Sequence, residues 1–96
     1  AAVVLLDCLT LWLSNLMAGQ NLNQDQAVAR VRDLVRAAAE APVPVVVVSN
    51  EVGQGIVPDN PLARAFRDTA GLSHQVLARA ADEVVFVTAG LAQRLK

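Results

Sequence analysis

Short apolar runs in this chain are separated by longer segments in which apolar residues recur with helical spacing. The runs cover residues 3–6, 45–48 and 84–87 and contain no polar side chain. An uninterrupted apolar run of this length is typical of a strand that is covered on both faces, as in a parallel sheet. The pattern therefore predicts three buried strands.

Two helices are predicted between the first and second strands. Residues 9–17 are apolar on most sides, which indicates a buried helix. Residues 23–41 carry one apolar stripe, made of Val28, Val31, Leu34, Val35 and Ala38. Asn23 and Gln26 resemble a capping box and Pro42 ends the segment, so we expect a surface helix packed on the sheet.

A third helix is predicted after Asn60 and Pro61, because asparagine is a good N-cap and proline suits the first helical position. It is expected to run to about Ala81. Gly71 would weaken it by about 1 kcal/mol relative to alanine and would mark a bend or a close backbone approach. The order strand, helix, helix, strand, loop, helix, strand predicts a single α/β domain over residues 1–96, with right-handed crossovers.

Composition and charge exclude several classes of protein. A net charge of -1 gives no electrostatic basis for binding nucleic acid. Residues 1–19 are apolar, but the polar side chains of Asp7, Thr10, Ser14 and Asn15 interrupt the ~20 apolar residues that a membrane span needs. The single cysteine, Cys8, fits a reducing cytoplasm. The chain opens directly on strand-like residues without a methionine, as a fragment would.

Two acidic residues follow predicted strands. Asp7 ends the first strand, and ligands of open α/β sheets bind beyond the carboxyl ends of the strands. An acid in this position holds Mg²⁺ in P-loop enzymes, directly or through water, although a simple strand-end or capping role fits equally well. Glu51 follows the second strand, where it is either a second acid at the metal or an ordinary surface residue of a polar loop.

Residues 49–55 read SNEVGQG and do not form a phosphate loop, since GxxxxGK[ST] is absent and the only lysine is Lys96. Arg64, Arg67 and Asp68 lie near the start of the third helix. The two guanidiniums are suited to phosphate, but Arg64 and Asp68 also have the spacing of an exposed ion pair.

Three other side chains have ordinary interpretations. His74 lacks partners at ligand spacing and is expected to make a polar contact on a helix face. Trp12 is expected in the core or at a subunit contact. Cys8 is expected to be a small buried side chain rather than a nucleophile.

The order of these motifs resembles that of the adenosylcobinamide kinase / adenosylcobinamide-phosphate guanylyltransferase family. The resemblance rests on residues 7–12 (DCLTLW), on residues 49–58 (SNEVGQGIVP), on polar and apolar positions between Asn60 and Val84, and on the ending of the chain. His74 stands where members of the family commonly carry asparagine. This resemblance implies a parallel-sheet, RecA-like P-loop NTPase fold of three layers, here a C-terminal portion that lacks the P-loop strand and helix.

The resemblance also implies an enzyme of cobalamin biosynthesis. Such an enzyme phosphorylates adenosylcobinamide with ATP or GTP and then transfers GMP from GTP to that phosphate through a guanylylated histidine. It is expected to be cytoplasmic and homo-oligomeric. By this resemblance Asp7 contacts the nucleotide and Mg²⁺. From the positions of the other residues we expect Glu51 to be a second catalytic acid at the metal, and the substrate or phosphate contacts to be Asn50, Arg64, Arg67 and Asp68.

The family's phosphate loop and guanylylated histidine precede the acid-bearing strand, so neither is in this chain. We therefore expect these residues alone neither to bind GTP tightly nor to transfer GMP, and His74 is not the guanylylated residue. Two alternatives remain at this point: a fragment of a different P-loop NTPase, and a non-catalytic α/β module that oligomerises.

Overall fold

The computed structural model describes residues 2–51 and 60–96. In chain order the elements are β1 (Val4–Asp7), α1 (Leu9–Ser14), a π-helical turn (Asn15–Gly19), α2 (Gln24–Glu40), β2 (Val45–Val48), α3 (Pro61–Ala80), β3 (Val85–Thr88) and β4 (Leu91–Arg94). The helix predicted over residues 9–17 is thus a short α-helix that widens into a π-helical turn.

The first two strands form a parallel pair, as predicted. Val4 lies opposite Val45 and Asp7 lies opposite Val48. Because the strands are parallel and in this register, their carboxyl ends lie at the same edge of the sheet. Asp7 and the residues that follow Val48 therefore lie at the same edge of the sheet.

The prediction that the strands are covered on both faces is wrong for the described residues. Leu6 and Val47 are partner residues on one face, and both pack against the core. Leu5 and Val46 are partner residues on the other face, and they are 61% and 46% exposed. Within the described part of the chain, the helices pack against one face of this pair only.

The third predicted strand does not join the parallel sheet. It pairs antiparallel with β4, so that Thr88 lies opposite Leu91. Ala89 and Gly90 form the two-residue turn with φ of 52° and 75°, which is the geometry of a tight hairpin. A two-residue loop closes at far lower entropic cost than pairing with a distant strand. Since β4 is exposed and of mixed polarity, its sequence predicted no strand.

The core lies between the helices and the inner face of β1 and β2. Its buried apolar side chains are Leu9, Leu13, Leu16, Met17, Ala27, Val31 and Ala70. Small residues contribute where α3 meets the other helices, since Ala70, Thr69 and Ser73 are fully buried. These contacts place the start of α1 and the middle of α3 close to the carboxyl ends of the two parallel strands.

Both long helices begin at the predicted caps. The side chains of Asn23 and Gln26 each accept a hydrogen bond from the other residue's backbone N–H, which completes the capping box of α2. Asn60 accepts from the backbone N–H of Leu62 at the start of α3. Gly71 lies within this continuous helix, and a Cβ there would meet nothing within 4 Å. The expectation that Gly71 marks a close backbone approach is therefore wrong.

Candidate functional site

Polar residues of the described chain gather where the two parallel strands end. The Asp7 carboxylate is exposed at the end of β1, and the peptide bond between Asp7 and Cys8 is cis. Ser49, Asn50 and Glu51 follow β2 at the same edge, with Glu51 exposed. The structure thus brings Asp7 and Asn50–Glu51, three of the predicted site residues, to one edge of the sheet.

Thr10 connects the start of α1 to the segment after β2. The Asn50 Nδ2 atom donates a hydrogen bond to Thr10 Oγ1 at 3.3 Å, between residues 40 positions apart in sequence. The same hydroxyl lies 3.3 Å from Cys8 Sγ. Thr10 is only 7% exposed, whereas Asn50 is exposed, so the Thr10 end of this bridge is shielded from water, which would otherwise compete for its hydrogen bonds.

His74 makes a second connection, from α3 to the end of β2. Its Nε2 atom lies 2.6 Å from Ser49 Oγ, and both residues are half-buried. The expectation of a polar contact on a helix face is confirmed. Adjacent residues after β2 are therefore held by two different helices, Ser49 by α3 and Asn50 by α1.

Cys8 is half-buried, whereas the sequence predicted a buried side chain. Its pKa is lowered from the ordinary value, chiefly by the hydrogen bond from the Thr10 side chain and then by the backbone N–H of Leu11. Partial desolvation and the negative charge of Asp7 raise the pKa by less. A thiolate here is stabilised by its neighbours even though no cation is adjacent in sequence.

The predicted phosphate contacts lie on the first two turns of α3. Arg64 and Asp68 are exposed and Arg67 is half-buried. With a rise of about 1.5 Å per residue, Arg67 lies ~10 Å and Arg64 ~15 Å from His74 along the helix axis. These side chains thus belong to a different part of α3 from the one that contacts Ser49.

The described residues contain no group of three or more His, Cys, Asp or Glu that could hold a metal ion. Nor does any described helix have the length and apolar character needed to cross a membrane. A groove of about 300 Å³ lies between α2 and α3, lined by Asp25, Val28, Ala29, Arg32, Leu72, Gln75, Val76 and Arg79. None of the predicted site residues lines it, so the chemistry suggested by the sequence lies elsewhere.

Sequence reasoning missed the part that Thr10 and Ser49 play. Thr10 sits in an apolar stretch that reads as a buried helix, and Ser49 reads as the first residue of a polar loop. The available signal was that each hydroxyl lies within three residues of a strand's carboxyl end, where α/β proteins position their ligand contacts.

The fold and this edge define a class: an α/β protein with polar side chains gathered beyond the carboxyl ends of parallel strands. The model of the family described as cobinamide kinase / cobinamide phosphate guanyltransferase matches residues 1–95, and the chain belongs to that family. The family has a P-loop type of fold. This finding confirms the resemblance and excludes a fragment of a different P-loop NTPase.

Curated relatives agree with the family match. The chain is 42% identical over 105 aligned positions to the bifunctional adenosylcobalamin biosynthesis protein CobU of Escherichia coli, covering 98% of this chain and 58% of that protein. It is 43% identical to the protein of the same name from Salmonella typhimurium, covering 97% and 58%. It is 40% identical to CobP of Pseudomonas aeruginosa, covering 97% and 53%. The chain thus spans a little over half the length of the curated relatives it matches.

Proposed function

We propose that this chain contributes to phosphorylation of adenosylcobinamide with ATP or GTP and to transfer of GMP from GTP to the resulting phosphate. The observation that carries the proposal is the family match over residues 1–95. The polar edge at the ends of β1 and β2 supports it, because the polar residues of the two strand ends lie where an α/β fold binds its ligands.

In this proposal Asp7 contacts the nucleotide through Mg²⁺. The residues present fit such an ion, since Mg²⁺ keeps several waters and is usually bound by one or two carboxylates together with substrate phosphates. An exposed carboxylate at the strand end meets that requirement without a cluster of three protein ligands. Bound Mg²⁺ would supply neutralisation of phosphate charge, and Asp7 would hold it directly or through water.

Glu51 and Asn50 act beside Asp7. Glu51 is a second acid, which orients a water or the substrate hydroxyl or assists at the metal. Asn50 contacts substrate, and its bond to Thr10 supports this role because the amide is held at the edge before substrate arrives. A preorganised amide loses less freedom on binding than a mobile one.

The start of α3 receives phosphate. Arg64 and Arg67 are suited to this because guanidinium groups present forked donors to phosphate oxygens, and Asp68 contributes a substrate contact beside them. The N-terminus of this 20-residue helix also favours negative charge. These roles rest on the positions of the residues in the first two turns.

The 96 residues correspond, in our proposal, to the C-terminal portion of a RecA-like three-layer P-loop fold. The phosphate-loop pattern is absent from them, and the curated relatives are longer. The phosphate loop and the guanylylated histidine would then come from the remaining part of such a protein. We further propose that the enzyme is cytoplasmic and homo-oligomeric, as the resemblance to the family implies.

A hybrid enzyme tests the proposed function. Residues 1–95 replace the matching segment of the Escherichia coli relative, and formation of GDP-cobinamide from adenosylcobinamide and GTP is measured. We expect the hybrid to be active and Asp7→Asn to lower kcat by about 100-fold or more, because metal-assisted charge stabilisation contributes several kcal/mol. Asp25→Asn, which removes an exposed carboxylate on α2, is the matched control and should leave kcat unchanged.

A folded hybrid without either activity would contradict the proposal and favour the non-catalytic module. The isolated 96-residue chain gives a second, independent result. Calorimetric titration with GTP and Mg²⁺ should show no tight binding. A GMP adduct on His74 would overturn the assignment of the guanylylated histidine to another part of the protein.

A further inference from the structure

The hydrogen bond between Ser49 and His74 joins two elements at the edge that carries the predicted acids. At 2.6 Å between Oγ and Nε2, it is short for a neutral hydrogen bond, and it links residues 25 positions apart. Both side chains are half-buried, so water competes only partly for them. The bond therefore fixes the end of β2 relative to α3.

The next residue is fixed from another side. Asn50 Nδ2 donates to Thr10 Oγ1 at the start of α1, and Thr10 is buried. Two successive side chains are thus bound to two separate helices, which leaves the backbone between them little freedom to rotate. Glu51 comes directly after this pair, so both bonds contribute to where its backbone lies.

We propose that His74 is a positioning residue, whose imidazole anchors Ser49 and thereby holds Asn50 and Glu51 at the edge of the sheet beside Asp7. The anchor itself follows from the geometry. Its consequence for turnover rests on the proposed function, in which Glu51 and Asn50 contact substrate. His74 acts through Ser49 and need not touch the nucleotide or cobinamide.

Nuclear magnetic resonance tests the anchor directly, because His74 is the only histidine of the chain and gives a single set of imidazole signals. Ser49→Ala should shift the Nε2 resonance, since it removes the partner of that atom. The matched control is Ser14→Ala, which removes the hydroxyl of a half-buried serine on α1 and should leave the imidazole signals unchanged. An Nε2 resonance that does not respond to Ser49→Ala would overturn the anchor.

Amide hydrogen exchange tests whether the anchor holds the segment. His74→Ala should speed exchange at Asn50 and Glu51 by about fivefold, the effect of losing one hydrogen bond of ordinary strength. His74→Gln retains a polar group near the position of Nε2 and should restore most of the protection. Equal exchange in wild type and His74→Ala, or failure of His74→Gln to restore protection, would contradict the positioning role.

Kinetics of the hybrid enzyme test the consequence for turnover. His74→Ala should lower kcat about tenfold with a smaller change in KM for GTP, because a mobile Glu51 is aligned less often with the reacting groups, and His74→Gln should recover most of the loss. An active hybrid that tolerates His74→Ala without loss would overturn this consequence. An inactive wild-type hybrid would count against the proposed function, while the resonance and exchange experiments still decide the anchor.

Discussion

At the strand ends, the buried hydroxyl of Thr10 contacts two other side chains, those of Cys8 and Asn50. Thr10 accepts a hydrogen bond from Asn50 and contacts the Cys8 sulfur. The Thr10 oxygen can accept from the Asn50 amide while its own proton is donated to the Cys8 sulfur. One hydroxyl thus contacts both the Cys8 thiol, whose pKa it helps to lower, and the Asn50 amide at the candidate site.

Thr10→Val should slow the alkylation of Cys8 while keeping the side-chain volume. The Thr10 hydrogen bond is the main cause of the lowered pKa of Cys8, so its loss raises the pKa and lowers the thiolate fraction at any pH below it. The rate of reaction with iodoacetamide, followed against pH, should shift to higher pH. Thr88→Val, an exposed change on β3, should leave the profile in place, and a profile unaltered by Thr10→Val would rule out this hydrogen bond.

At the residue scale, the sequence predicted which polar residues follow the carboxyl ends of the strands. It did not predict which side chains those residues hydrogen-bond. Asp7 and Glu51 are placed by their distance from an apolar run, which is a local property. The partners of Ser49 and Asn50 lie 25 and 40 positions away. Contacts of that kind depend on how helices pack, so periodicity and turn signals carry no information about them.

At the scale of the elements, the turn between β3 and β4 consists of Ala89 and Gly90, which both lie in the left-handed region. Gly90 has φ of 75°, and a Cβ there would meet nothing within 4 Å. A substitution therefore tests the backbone conformation alone, without a steric clash.

Gly90→Ala should lower the free energy of unfolding by about 1 kcal/mol, the cost of placing a Cβ in this conformation. Ala89→Asn should have the opposite sign and raise it by a few tenths to about 1 kcal/mol, since asparagine tolerates the left-handed region and Asn-Gly is favoured in this type of turn. Urea denaturation measures both. Changes of the same sign would show that the turn does not have this geometry in solution.

Helices were predicted better than strands, for a physical reason. The limits of α2 and α3 follow from caps and an apolar stripe, both of which act over a few residues. Whether residues 84–87 pair with β2 or with a strand after them depends on competition between distant and adjacent partners. Their apolar character predicts a strand equally well in either case.

On the scale of the whole molecule, the parallel pair β1 and β2 has, within the described residues, one face covered by helices and one face exposed. Leu5 and Val46 lie together on the open side with more than a third of each side chain exposed. Contiguous apolar surface of this kind marks an interaction site on soluble proteins. In the three-layer fold that we propose, the remaining part of such a protein would cover this face, whereas in the isolated chain it is available to a second copy.

Leu5→Thr should weaken self-association of the isolated 96-residue chain by about tenfold, because it removes apolar area worth ~1–2 kcal/mol at such an interface. Leu62→Thr is the matched control, since Leu62 on α3 is also 61% exposed. Sedimentation equilibrium over a range of protein concentrations measures both. Equal effects of the two substitutions would argue against the outer face of β1 and β2 as the contact.

The register of β1 with β2 also has a consequence for how quickly the chain reaches its native state. Val4 and Val45 are separated in sequence by two helices. Their pairing therefore has high contact order and requires closure of a long loop. The helix α2, with its complete capping box, can form early from local contacts. Substitutions that weaken α2 should therefore slow folding, whereas those in the late-pairing strands should chiefly speed unfolding.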